Sequence, residues 1–341
     1  MTFSEICDRD GIEAAKSYAM TRPVRIVTHK GCPDGDACRW IADRFFNGHP
    51  DIDFYRCNYH EPFPKIQAGT LYFVLDFSFP QTALLEWEKE LPGVEFIILD
   101  HHQKRMEEIF NLGSLTDVVL NNSSVSDSIT LSFDVSKSGC VLAWEYFYPN
   151  EALPLVLRYV DARDRWQKDA LPYVDEIHLA KLSLPWTNEV LEHLYSLSDE
   201  EFMSYLLPIG MAKKEEREKR IREIITTQIW VKIAGYRVPA AAVYLDYRSD
   251  VPHELCLKYN VPFAASWSDA RFSGVRAWEL RTIEGSEVNV AEIAALYDGG
   301  VHARAAGFTD PGYCEPRISA LQMCSVRLRQ WRNAVARWFV D

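Results

Sequence analysis

Three short apolar runs, each ending in side chains able to bind a metal ion, constrain this chain more than anything else in its sequence. The stretch VEFIILDHHQK, Val94 to Lys104, opens with a run rich in β-branched and aromatic residues, the texture of a buried strand. Where that run stops, Asp100, His101 and His102 follow in succession. Upstream, VRIVT (Val24 to Thr28) leads into THKGCPDGDACRW, which sets His29, Asp34 and Asp36 in a Gly/Pro-punctuated turn before a helix expected from about Ala37. Between these lies LYFVL (Leu71 to Leu75), with Asp76 at its end. Helices fit the intervals Ala37 to Phe46 and Gln81 to Lys89, so the pattern is the βαβ alternation of a parallel sheet. In such a sheet the carboxyl ends of the strands face the ligand crevice, and carboxylates with imidazoles there suggest a metal-dependent site.

Each residue also has a plainer reading. Asp34 and Asp36, one residue apart in a turn, can converge as hard oxygen ligands for a small divalent cation. Equally, Asp36 can cap the Ala37 helix while Asp34 favours its dipole. Asp76 can be a turn former, and Cys32 a packing residue. Further on, apolar helices over Gly139 to Phe147 and Leu153 to Val160 lead into DARDRW, where Asp161 and Asp164 share a face if the helix continues. Either could simply pair with Arg163 or Arg165.

The 341 residues, 48% of them hydrophobic, suffice for two cored domains. A net charge of -12 argues against coating long duplex nucleic acid, which is driven by Lys and Arg neutralising phosphates, yet suits a small anionic substrate held through metal ions. Eight cysteines occur without a Cys-x-x-Cys pair, which points to reduced thiols and away from a thiolate zinc site. The charged N-terminus lacks a signal-peptide core and no run approaches the roughly 18 apolar residues of a membrane span, so a cytoplasmic protein with no membrane partner is expected.

The chain is expected to divide into a metal-binding domain over residues 1–198, a helical connector over 199–230 and a smaller α/β domain over 231–341. The connector includes MAKKEEREKRIREIITTQIW, a long mixed-charge helix with Ile221, Ile224 and Ile225 as its apolar stripe. Beyond it, strands are expected at Arg237 to Leu245, Val261 to Trp267 and Gly274 to Thr282, and helices at His253 to Tyr259, Val290 to Tyr297 and Ser319 to Phe339. The loop DGGVHARAAG, Asp298 to Gly307, places Gly299 and Gly300 where backbone N–H groups can approach an anion, beside His302 and Arg304 as donors, with Arg281 on a neighbouring strand.

Together, His29/Asp34/Asp36, Asp76, Asp100-His101-His102 and Asp164, in that order and spacing, resemble the DHH phosphoesterases. That family includes RecJ exonucleases, nanoRNases and, more distantly, family II pyrophosphatases. FSGVRAWELRT and VNVAEIAALYDGGVHARAAGF look like the DHH-associated C-terminal domain, so the resemblance runs from about Arg22 to about Phe308. Two departures stand out: one extra residue separates His29 from Asp34, and Val301 replaces the usual third glycine of the loop.

The resemblance implies two metal ions, usually Mn2+, with Mg2+ or Co2+ as substitutes. His29, Asp34 and Asp76 would hold one, and Asp36, Asp76, His101 and Asp164 the other, with Asp76 as the bridge. Asp100 would orient a neighbouring imidazole, and His102 would contact phosphate. Arg281, Gly299, Gly300, His302 and Arg304 would grip substrate. Two such ions activate water for in-line displacement at phosphorus. The expected activity is hydrolysis of a short linear oligoribonucleotide or dinucleotide to mononucleotides. Alternatives are a cyclic-dinucleotide phosphodiesterase, a 3′-phosphoadenosine 5′-phosphate phosphatase, or a nucleotide sensor without turnover. A homodimer is compatible with the sequence.

Overall fold

A computed structural model describes residues 1–58, 61–102, 119–165, 167–269, 275–283, 285–299 and 304–310. The chain divides into two compact units, Met1–Lys214 and Glu215–Asp341.

The first unit is built on a six-stranded sheet in the order β2-β1-β3-β4-β6-β5. Its strands are β1 (Val24–His29), β2 (Ile52–Cys57), β3 (Leu71–Leu75), β4 (Glu95–Asp100), β5 (Val119–Ser126) and β6 (Ile129–Asp134). All pairings are parallel except that of β5 with β6. The continuous apolar runs follow from burial on both faces. Leu71, Phe73, Leu75, Ile97 and Leu99 join one core cluster, and Tyr72, Val74, Phe96 and Ile98 the other. Strand order reverses around β1, which is flanked by β2 and β3, and this is where α/β sheets open a crevice at the carboxyl edge.

Helices of this unit are α1 (Phe3–Asp10), α2 (Ile12–Ala19), α3 (Pro33–Phe45), α4 (Gln81–Glu90), α5 (Gly139–Phe147), α6 (Leu155–Asp164), α7 (Val174–Leu182), α8 (Asn188–Ser196) and the start of α9 (Asp199–Ile225). At the opposite edge of the sheet, the buried Glu95 accepts from Phe3 N at 2.7 Å and Tyr18 Oη at 2.7 Å and pairs with Arg22, tying the first two helices down. Strands β2, β5 and β6 were not expected from the sequence, because Asn121 to Ser128 is mostly polar and β2 is an edge strand with little burial.

The second unit has a five-stranded sheet in the order β11-β10-β9-β8-β7, in which only β8 and β9 run parallel. Its elements are β7 (Ile229–Ile233), β8 (Tyr236–Ala242), α10 (Asp250–Tyr259), β9 (Ala264–Asp269), β10 (Arg276–Arg281), α11 (Val290–Ala295) and β11 (Ala305–Asp310). The charged helix expected to reach Trp230 ends at Ile225 instead. Thr226 and Thr227 turn their hydroxyls back onto the carbonyls of Glu223 and Ile224, a contact that competes with helix propagation, and IWVKI then pairs as β7. The expected helix over Ser319 to Phe339, and Gly300 and His302, lie outside the described residues. Among the described residues no helix is long and apolar enough to cross a membrane, and six cysteines are free thiols.

Candidate metal centre

The carboxyl ends of β1, β3 and β4 bring the predicted ligands together, but α3 decides which of them face inward. Cys32 is extended at the N-cap (φ -119°, ψ 132°) and Pro33 takes the first helical position, so α3 starts at Pro33 and not near Ala37. Asp34 and Asp36 are therefore helical, and two positions along a helix turn a side chain by about 200°. As they lie, the two side chains meet different surroundings. Asp34 is fully buried in the cluster, whereas Asp36 pairs with Arg56 and does not cap the helix. Gly35 lets the helix close onto β1: a Cβ there would sit 2.3 Å from the carbonyl oxygen of His29.

Asp76 follows β3 in the left-handed region, with φ 55°, a conformation that non-glycine residues adopt at a cost and that clusters at functional sites. Its amide still bonds to the Leu99 carbonyl at 2.9 Å, which continues the β3–β4 ladder while the carboxylate turns into the crevice. His101 Nε2 stands among three carboxylates, 3.1 Å from Asp76 Oδ1, 3.6 Å from Asp164 Oδ2 and 3.7 Å from Asp34 Oδ2. On the other side of Asp76, its Oδ2 lies 3.6 Å from His29 Nδ1, and its Oδ1 3.9 Å from His102 Nδ1.

Two groups of potential ligands result, His29/Asp76/His102 and Asp34/His101/Asp164, each with donor atoms within 4.8 Å of one another. This grouping differs from the sequence expectation in three ways. Asp34 sides with His101 and Asp164, His102 joins His29 and Asp76, and Asp36 belongs to neither group. Asp164 rather than Asp161 enters the cluster. Asp161 instead accepts from Arg165 Nε at 2.8 Å and from the Ser138 amide at 2.9 Å.

The start of α5 supplies the remaining walls. The amides of Gly139 and Cys140 donate to Asp34 Oδ2 at 2.7 Å and Oδ1 at 2.9 Å, placing a carboxylate at the positive end of a helix. Gly139 has no room for a side chain, since a Cβ would meet Asp76 Cβ at 2.5 Å. Asp100, wholly buried, accepts from Ser78 Oγ at 2.5 Å, the His101 amide at 2.8 Å and His102 Nδ1 at 2.7 Å. In the neutral ring of His102 that last bond leaves the lone pair on Nε2. Sequence reading missed Ser78, Gly35 and Gly139 as parts of the site. Gly35 follows Asp34 directly, a signal in the sequence for a close approach, whereas Gly139 has no ligand beside it in the chain.

Electrostatically the cluster calls for positive charge. Burial, then the neighbouring Asp76 and Asp164, pushes the Asp34 carboxyl up to about 8, and burial likewise raises Asp164. His101 is raised to about 10: burial opposes the charge, but the bond to Asp76 and the nearby carboxylates outweigh it. His102 is raised to about 9, where burial again opposes and Asp100 prevails. Protons thus do the neutralising here, with the imidazole of His101 amid three carboxylates in the position of a cation. Asp76 Oδ2 is buried without a hydrogen bond. Imidazole and carboxylate donors around an acceptor-rich pocket fit Mn2+ or Mg2+, which favour such ligands over thiolates. Cys32 Sγ is 4.0 Å from Asp164 Oδ1, and burial, followed by the nearby carboxylates, raises its thiol, as befits a packed neutral group.

In the second unit, Arg281 donates from Nη2 to Ser249 Oγ at 2.9 Å and from Nη1 to the Leu280 carbonyl at 2.8 Å. The Thr282 amide donates to the Arg304 carbonyl at 3.2 Å, so Arg281 and Arg304 flank the same end of the β10–β11 pair. Gly299 is required by close packing, since a Cβ would lie 2.2 Å from the Gly307 carbonyl oxygen.

No family profile matches the sequence. Uncharacterized protein R106 of Acanthamoeba polyphaga mimivirus is 22% identical over 320 residues, covering 84% of this chain and 67% of that protein. Among solved structures, the DHH domain of a member of the S1p family of ribosomal proteins is 12% identical with a TM-score of 0.52, covering 94% of this chain and 88% of the other. The pGpG-specific phosphodiesterase PggH of Vibrio cholerae is 14% identical with a TM-score of 0.45, covering 92% of this chain and 99% of that one. The chain thus shares the fold of that solved DHH domain, and its candidate ligands stand at the strand ends beside the reversal of strand order at β1.

Proposed function

We propose that this chain is a metal-dependent phosphodiesterase that hydrolyses short linear oligoribonucleotides or dinucleotides to mononucleotides, with Mn2+ as its working ion. The observation that carries this reading is the pair of ligand groups joined through Asp76, whose Oδ1 lies 3.1 Å from His101 and whose Oδ2 lies 3.6 Å from His29. His29, Asp76 and His102 would hold one ion, and Asp34, His101 and Asp164 the other. Bound there, the ions supply Lewis-acid polarisation of a phosphoryl oxygen and a water nucleophile at neutral pH. The chain's own residues do the positioning. The α5 amides fix Asp34, Ser78 and the His101 amide fix Asp100, and Asp100 in turn fixes the ring of His102. Arg281 and Arg304 of the second unit, with Gly300 and His302, would bind substrate phosphate and sugar, whereas the Gly299 amide expected to meet an anion is given to the Ala294 carbonyl at 3.0 Å.

A Mn2+-supplemented assay of RNAs two to five nucleotides long, against cyclic dinucleotides, 3′-phosphoadenosine 5′-phosphate and pyrophosphate, tests the substrate class. Preference for any of the last three replaces it. Asp76→Ala tests the centre: an enzyme loses Mn2+-dependent turnover by several orders of magnitude. A nucleotide sensor would show no turnover to lose and would still bind nucleotide.

A further inference from the structure

Arg56, at the end of β2, places its guanidinium on the Asp36 carboxylate. The parallel register pairs Thr28 with Arg56 and His29 with Cys57, so Arg56 lies beside the strand end that carries His29. The Asp36 side chain is 15% exposed and that of Arg56 41%. Among the described residues Asp36 is the one ion-pair partner of Arg56, while Arg39, one helical turn beyond Asp36, lies over the Phe54 ring at 5.0 Å and Lys30 pairs with Glu61.

A guanidinium does not deprotonate in a protein, so it cannot yield its place by losing a proton as His101 can. A divalent ion arriving at Asp36 meets like charge and must displace it. Asp36 is too buried to stand alone as a carboxylate without cost, which explains why a cation covers it. Arg56 is exposed enough to swing away, and its planar fork matches a phosphate. Resting on the metal-dependent phosphoesterase reading above, we propose that Arg56 holds the Asp36 carboxylate until a divalent cation takes it, and that the released guanidinium then binds the substrate's phosphate. Asp36 thereby becomes a ligand only in the loaded protein, which reconciles its place in the sequence motif with its absence from both ligand groups.

The test uses the full chain, with Mn2+ binding followed by the electron paramagnetic resonance of the free ion. Arg56→Ala is expected to bind its weaker ion at least tenfold more tightly than the unaltered protein, and Arg56→Lys to fall between. In an Asp36→Asn background, Arg56→Ala should have no further effect, the signature of a pairwise interaction. With a dinucleotide substrate, Arg56→Ala should raise KM at least tenfold. Unchanged Mn2+ affinity in Arg56→Ala overturns the exchange, and an unchanged KM overturns the phosphate role. Failure of the underlying reading looks different: the unaltered protein would bind no Mn2+ at all, and the proposal would fall with it.

Discussion

Asp34 and His101 face each other at 3.7 Å and hold protons that a metal ion has to remove. Asp34 is protonated up to about pH 8 and His101 up to about pH 10, both raised from their ordinary values, yet each binds a metal only after losing its proton. Protons and metal therefore compete, and raising the pH removes the competitor. Mn2+ affinity is expected to climb as the pH rises through about 8 and on to about 10, with net proton release. Calorimetric titration in buffers of different ionisation enthalpy measures that release, and a pH-independent affinity would contradict the ligand set. Gly139 supplies a second expectation at this scale. Gly139→Ala forces a Cβ to within 2.5 Å of Asp76 Cβ, so Mn2+ binding should weaken at least tenfold while far-ultraviolet dichroism stays that of the folded chain. The presence of these ligands was legible in the residues, but their partition was not. Asp161 and Asp164 both suit a metal by residue type, and only the turn of α6, with Arg165 one turn beyond Asp161, separates the ion pair from the ligand.

Helices α3 and α5 hold the centre from behind, and their contact is aromatic. Trp40 and Trp144 stack with ring centroids 6.0 Å apart, both fully buried with Phe45 and Phe147 in the same cluster. Trp144→Ala should cost about 3–5 kcal/mol of stability. It should also loosen the start of α5, whose amides hold Asp34, so Mn2+ affinity falls along with the urea midpoint. Trp144→Phe, which keeps most of the volume, should retain the affinity. A stability loss without any change in metal binding would uncouple α5 from the site. Strands β3 and β4, buried on both faces, were legible in advance because their apolar runs are unbroken. The pair β5 and β6 was not, since polar residues such as Asn121 to Ser124 form a strand only when a neighbouring strand pairs with them.

Across the whole molecule, metal binding and folding of the first unit are linked, because unfolding scatters ligands drawn from residues 29 to 164 of the chain. At an ion concentration a hundredfold above its dissociation constant, one site adds about 2.7 kcal/mol. Mn2+ should therefore raise the melting temperature of the Met1–Lys214 unit, read by calorimetry or hydrogen exchange. A chelator should reverse the shift, and Asp76→Ala should abolish it. Exchange in the strands of the Glu215–Asp341 unit should stay unchanged. An equal rise in both units, or none, would contradict a centre confined to the first.

By itself the sequence determined the alternation of strand and helix, the placing of acids and imidazoles at strand ends, and the two glycines of the second unit's loop. Those follow from local rules: apolar periodicity, Gly and Pro punctuation, and ligand chemistry. Only the tertiary structure decided that Asp34 and not Asp36 enters the cluster, that Asp161 is given to Arg165, and that His102 is steered by Asp100. Each of those outcomes depends on where one helix begins or which distant side chain lies within hydrogen-bonding reach, and no spacing along the chain encodes a direction in space.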